Sequence, residues 1–281
     1  MKENEIIDIM ITMFLGYKYR KEHDLLYSHD GKVPISLIKL YYSGDYKRLD
    51  SKSITKSFVD RYIKNESEIE NVHEKSEIEG LAVMYDDMTK TSFDEFELFS
   101  LIVLHKDLYS KCPYPEAGGR LRNRDVYLPG SGCDLSNYSY VFDDLCKYED
   151  IVKELKIFAQ IMRENNDYKS ILEYIDRCVK LSCNLINIHP FDDGNGRTVR
   201  CFINKLFIEA GIPPVYIKKN EKQEYNDAMN KANNEKDYND ITNFYLYKIC
   251  DSIIELDINK RVLKEREEKI YDVKKKKSKK R

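Results

Sequence analysis

The sequence is poor in the residues that interrupt helices, with 11 glycines and 7 prolines in 281 positions, which sets aside collagen-like and Gly/Pro-rich low-complexity classes. It has no CxxC pair. Its seven cysteines, Cys112, Cys133, Cys146, Cys178, Cys183, Cys201 and Cys250, are odd in number and scattered. That set argues against a disulfide framework or a cysteine zinc site and fits reduced thiols, so a cytoplasmic location is expected. Several fall within apolar helical patterns, where cysteine serves as a small core residue. The amino-terminal stretch "MKENEIIDIMITMFLGYKYR" lacks an unbroken apolar run and a small-residue cleavage site. Neither a signal peptide nor a membrane span is expected there. There is also no internal repeat.

What is present is an ordinary globular composition, 42% hydrophobic and 34% charged. The net charge of −2 conceals an asymmetry: "KKKKSKKR" at 274–281 carries seven positive charges and leaves −9 on the rest. An acidic body disfavours a nucleic-acid-binding face, which needs clustered Lys and Arg. Nucleic acid is therefore expected only through the basic tail, itself read as a disordered, solvated end.

Helical periodicity dominates the chain. Ser92-x-x-Glu95 has the form of a capping box and precedes an apolar stripe that predicts a helix over 93–110, with His105 as a packed core residue. Apolar spacing predicts further helices over 170–188, from Val199 to Gly211, over 223–233 and over 240–256. The stretch "GGRLRNRDVYLPG" at 118–130 alternates between glycines and predicts a small β-hairpin. Residues 1–70 are expected to form a helical extension, 71–255 the main domain, and 256–281 a helical end with the tail.

Between two predicted helices lies "HPFDDGNGRTVR", residues 189–200. A plain turn would explain its glycines but not its charges. Arg197 and Arg200 are three apart and would share one face at the start of the following helix, whose free N–H groups and partial positive charge already attract anions. Gly194 and Gly196 would let an anion approach the backbone, and the Asn195 amide could donate to it. A polyphosphate is the natural ligand, with Asp193 a suitable oxygen ligand for Mg²⁺ and His189 placed to accept a proton. An EF-hand loop opening at Asp193 is ruled out, because Arg197, Thr198 and Asn204 occupy its fifth, sixth and twelfth positions.

The stretch resembles the Fic-domain signature His-x-Phe-x-(Asp/Glu)-Gly-Asn-Gly-Arg-x-x-Arg at every specified position. The resemblance extends over roughly 71–255 through His105, "GGRLRNRDVYL", "GIPP" and "EYNDAMNKA". It implies a mainly α fold, a helical bundle with a small β-hairpin flap, and transfer of AMP from ATP to a Ser, Thr or Tyr hydroxyl of a protein. By the same resemblance His189 would be the general base, Phe191 a structural anchor and Asp193 the Mg²⁺ ligand. Gly194, Asn195, Gly196, Arg197 and Arg200 would bind nucleotide, and the flap residues Arg120, Leu121, Arg122 and Val126 would position the target. Both motif glycines favour AMP transfer over phosphate transfer. The expected partners are a protein substrate, the chain itself included, and another copy in a homo-oligomer.

"KSEIEGL", residues 75–81, resembles the family's inhibitory motif (Ser/Thr)-x-x-x-Glu-Gly, whose glutamate pairs with the second motif arginine. That match has Lys75 in the first place and implies autoinhibition by Glu79 from a helix at 75–90. The same residues also fit a simple helix start, with Ser76-x-x-Glu79 as capping box. The alternatives to AMP transfer are hydrolytic AMP removal, with Glu79 orienting water, and a nucleotide-binding module without turnover.

Overall fold

The structure is a computed structural model that describes residues 1–23, 32–45, 48–127 and 135–278. Eleven α-helices are found among them: α1 (Glu3–Glu22), α2 (Lys32–Tyr42), α3 (Lys56–Ile69), α4 (Lys75–Lys90), α5 (Ser100–Tyr109), α6 (Val141–Cys146), α7 (Glu149–Glu164), α8 (Ile171–Ile188), α9 (Asn195–Glu209), α10 (Lys222–Glu235) and α11 (Asn239–Ser278).

α9 is the central element. Val199, Phe202, Ile203, Leu206 and Phe207 are all buried, as their spacing predicts, and α4, α5, α7 and α8 pack around them. Its polar residues are buried too and must find partners. Lys205 reaches the Thr91 carbonyl and Glu209, each at 2.7 Å, while the Asn204 amide exchanges two bonds with Val215. α9 stops where expected, with Gly211 left-handed at φ 74°.

The first three helices are no loose appendage. α1 and α2 pack on each other and on α11, and their apolar residues belong to the same hydrophobic cluster as those of α8 and α9. Lys18 of α1 and Lys218 both pair with Asp251 of α11, at 3.2 and 3.0 Å. α11 runs further than its apolar pattern and takes the lysines at 274–277 into the helix as far as Ser278.

Two local expectations are corrected. The helix expected from 93 begins only at Ser100, because residues 93–95 form a turn and the Glu97 N–H donates to Ser100 Oγ at 3.0 Å. In the flap, no strand occurs among the described residues. Residues 120–127 are irregular because their polar groups bond to the motif loop and not to a partner strand, beginning with the Arg122 N–H on the Pro190 carbonyl at 2.9 Å. Residues 128–130 of the expected hairpin, and Cys133, lie outside the described residues. The other six cysteines are free thiols, five of them buried.

Candidate nucleotide site

The loop after α8 is closed by its own side chains. Asn195 accepts from the Phe191 N–H at 2.9 Å and donates to the Phe191 carbonyl at 2.7 Å. Its side chain thus braces the loop and is buried there. Phe191 is fully buried and stacks on His105 with centroids 3.7 Å apart. His105 accepts from the Gly119 N–H through Nδ1, so its Nε2–H donates to the Asp193 carbonyl at 3.0 Å. Burial pushes its pKa down to about 4 and keeps it neutral. The expected core histidine is therefore also a bracket joining α5, the flap and the motif loop.

His189 caps α8 in a left-handed conformation, φ 53°. Its Nδ1 faces the Ile186 carbonyl at 3.3 Å, which assigns the proton to Nδ1 and leaves Nε2 as acceptor. Burial lowers its pKa, and the nearby Arg122 charge acts in the same direction. The neutral base form is thus favoured. Arg122, expected as a target-positioning flap residue, is buried. Its Nε donates to the His189 carbonyl at 2.7 Å and its Nη2 to the Ile188 carbonyl at 3.2 Å, where a cation complements the carboxyl end of α8.

Gly194 begins α9 at φ 74°, and a Cβ there would lie 2.9 Å from Leu108 Cδ2. The first backbone bond of α9 runs from the Thr198 N–H to the Gly194 carbonyl, leaving the three preceding N–H groups unpaired within the helix. Gly196 keeps this end open: a Cβ would stand 2.7 Å from Glu70 Oε1 and 2.8 Å from Arg200 Nη1.

Both motif arginines are buried and both are met by carboxylates. Arg197 pairs with Glu77 of α4 at 2.7 Å, and its Nη2 lies 3.3 Å from Tyr109 Oη and from Asp193 Oδ2. Its Nε is buried and finds no partner among the described residues. Arg200 lies 2.8 Å from Glu66 and 2.6 Å from Glu70. Glu66 is fully buried, which pushes its pKa up against the pull of Arg200. Glu70 is also pushed up by burial, but there Arg200 prevails and the carboxyl titrates below the usual range.

Glu79 is not part of this cluster. Its side chain is half exposed and pairs with Lys75 at 3.5 Å. The contact with Arg200 expected of it is made instead by Glu66 and Glu70, at the end of α3. The helix start at Lys75 is present, but no side chain caps it, Ser76 included.

Asp193 accepts from Tyr109 Oη at 2.8 Å and faces Arg197. Partial desolvation by its neighbours would raise its pKa, but Arg197 and Tyr109 outweigh that and hold it below the usual carboxylate range. Both contacts fall on Oδ2, and 76% of the side chain is exposed. An ionised, accessible oxygen donor beside an anion site fits Mg²⁺ held jointly with phosphate oxygens. Next to it, His105, Tyr109, Tyr114, Arg120, Leu121 and Asp193 help line a cleft of about 300 Å³. Of the expected flap residues, Arg120 and Leu121 reach this cleft while Val126 is only half-buried and does not line it.

Residues 95–207 match the model of the Fic/DOC family. Over these residues the chain is similar to a Fic domain. A protein adenylyltransferase Fic from Drosophila willistoni is 30% identical over 170 residues, and one from Culex quinquefasciatus 31% identical over 171; each match covers 58% of this chain and 30% of the relative. The chain thus spans about a third of the length of these relatives. In fold, it is similar to a fragment of Fic-1 from C. elegans, with a TM-score of 0.58 at 17% identity over 92% of this chain and 73% of that one. The matched residues begin after α3 and α4, so Glu66, Glu70 and Glu77 reach the two arginines from outside them, while Asp193 lies within.

Among the described residues no helix is long and apolar enough to cross a membrane.

Proposed function

We propose that this chain is a protein adenylyltransferase that transfers AMP from Mg²⁺-bound ATP to a hydroxyl of a protein and is held off by its own α3. The observation that carries this is Arg200 at the head of α9, engaged by side-chain carboxylates at a place where the backbone, Gly196 and the arginines suit a phosphate. A carboxylate in an anion site is a competitor for that site.

With Glu70 displaced, phosphates would bind to the free N–H groups of α9 and to the guanidinium groups of Arg197 and Arg200. The unpartnered Arg197 Nε offers one more donor. Asp193 would hold the Mg²⁺, whose contribution is to offset phosphate charge. A target segment lying along the flap would bring its hydroxyl to His189. Nε2 takes the proton, the oxygen bonds to the α-phosphorus, and pyrophosphate leaves. Positioning and electrostatics supply most of the catalysis in such chemistry.

The hydrolytic alternative assigned the water to Glu79, and the outward position of that residue gives it no support. The test is incubation with ATP labelled in the AMP moiety and a lysate, or the chain alone. Label should appear with Glu70→Gly and vanish when His189→Ala is added. Transfer that persists without His189 would mean that another group is the base.

A further inference from the structure

Two carboxylates hold Arg200, and they hold it in different ways. Glu66 lies within α3, four residues before Glu70, with none of its surface exposed. It takes the Nε edge of the guanidinium: Nε lies 3.1 Å from Oε1 and 2.9 Å from Oε2, and Nη2 2.8 Å from Oε2. This side-on geometry fixes the plane of an arginine. Glu70 makes one contact, Nη2 to Oε1 at 2.6 Å, from the cap position beyond the last residue of α3, and 30% of its side chain is exposed. The remaining nitrogen, Nη1, is turned to Gly196 and the start of α9.

The neighbouring helix residues anchor Glu66 further. Tyr62, one turn before it, and Ile69, three residues after it, are buried. Glu70 follows buried Ile69 but sits outside the helix, where the chain turns through left-handed Asn71 and its side chain is partly exposed. Glu66 therefore keeps its place if the cap residue swings out, and Arg200 would otherwise be a buried cation left with the Tyr225 ring 6.0 Å away.

We infer that Glu66 is a positioning residue for the nucleotide: it aims Arg200 so that Nη1 and the vacated side of Nη2 present to a phosphate once Glu70 leaves. The inference rests on the proposal that ATP phosphates occupy the Arg200 end of the loop. It makes the two carboxylates opposite in effect, although both touch the same guanidinium. Glu70 competes with the nucleotide, and Glu66 supports it.

Calorimetric titration of the full chain with Mg²⁺ and ATP separates the two roles. In a Glu70→Gly background, Glu66→Ala is expected to weaken ATP binding about tenfold, the scale of one lost charge-assisted contact. Glu66→Gln retains one acceptor for Nε and should recover part of that loss. If Glu66→Ala does not fold, Glu66→Gln alone decides, with binding about threefold weaker than its parent. In labelling kinetics the change should fall on the KM for ATP rather than on kcat, whereas general loosening of the fold would lower the active fraction and leave KM unchanged. Binding that is unchanged or tighter in both Glu66 variants overturns the inference, since it would make Glu66 a second competitor or a bystander. A Glu70→Gly protein that binds ATP but transfers no AMP would overturn the proposed function instead, while the Glu66 comparison stays readable from binding alone.

Discussion

Residues 66–71 and 75–80 are neighbouring acidic stretches with opposite fates. In 75–80 the pair Glu79-Gly80 matches the family's inhibitory motif in letters, yet Glu79 points outward to Lys75. Gly80 is there for packing: a Cβ on it would fall 1.9 Å from the Leu108 carbonyl oxygen, so glycine is what lets α4 lie against α5. In 66–71 the pair is Glu70-Asn71, and its glutamate is on Arg200. Asn71 stands where the motif has glycine and has φ 56°. Asparagine is, after glycine, a residue that accepts the left-handed region at helix ends. The two stretches thus differ in backbone as well as in partner, since Asn71 is left-handed just past the end of α3 whereas Gly80 lies within α4.

The largest effect that can test this contrast is on activity. Glu70→Gly should raise AMP labelling by about tenfold or more, because it removes a charged competitor from a buried arginine, while Glu79→Gly should stay within about twofold of the parent. Comparable activation by Glu79→Gly would reverse the comparison. Next comes stability. Gly80→Ala has to push α4 off α5 and is expected to cost about 3 kcal/mol, read as a fall in Tm on the order of 5 °C or more. An unchanged Tm would show that the contact is not tight.

A smaller effect is expected at Asn71. Asn71→Ala should cost about 1 kcal/mol in denaturant unfolding, whereas Asn71→Gly should be close to neutral. Equal losses in both would mean that the asparagine side chain, not its φ, is what matters. The smallest concerns pH. His189 has its pKa lowered by burial, and a base acts in its neutral form. The labelling rate of Glu70→Gly is therefore expected to hold as pH falls to 6.5, the ordinary histidine value, and to decline only below it. A midpoint above 6.5 in the rate profile would contradict a depressed His189.

The helices of the core and the 189–200 loop were legible in the sequence because they rest on local spacing. Val199, Phe202 and Leu206 announce their buried face, and Gly211 announces where it stops. The contacts that decide the state of the site are not local. Glu66 meets Arg200 from 134 residues away, and in the sequence it sits in "KNESEIEN", which looks like a solvated surface. Arg122 was equally hidden, since a flap arginine amid polar neighbours gives no hint that it caps α8. Asn195 illustrates a different limit: its residue type suits both a ligand contact and a loop brace, and only the Phe191 backbone at hydrogen-bond distance separates the two. The one useful signal passed over was the apolar Tyr62 and Ile69 flanking Glu66, whose spacing turns that side of α3 inward.

The brace between Asn195 and Phe191 has a consequence for how the site would be switched. Because the loop is closed by its own side chain, its ordering is complete on folding and is not a cost of nucleotide binding. Under the proposed function, what separates the resting from the working state is then the exchange of one anion for another. Glu70 acts as a ligand tethered at a fixed effective concentration, and ATP must outcompete it from solution. The chain's output would follow nucleotide level and anything that lengthens or slackens the tether at Asn71.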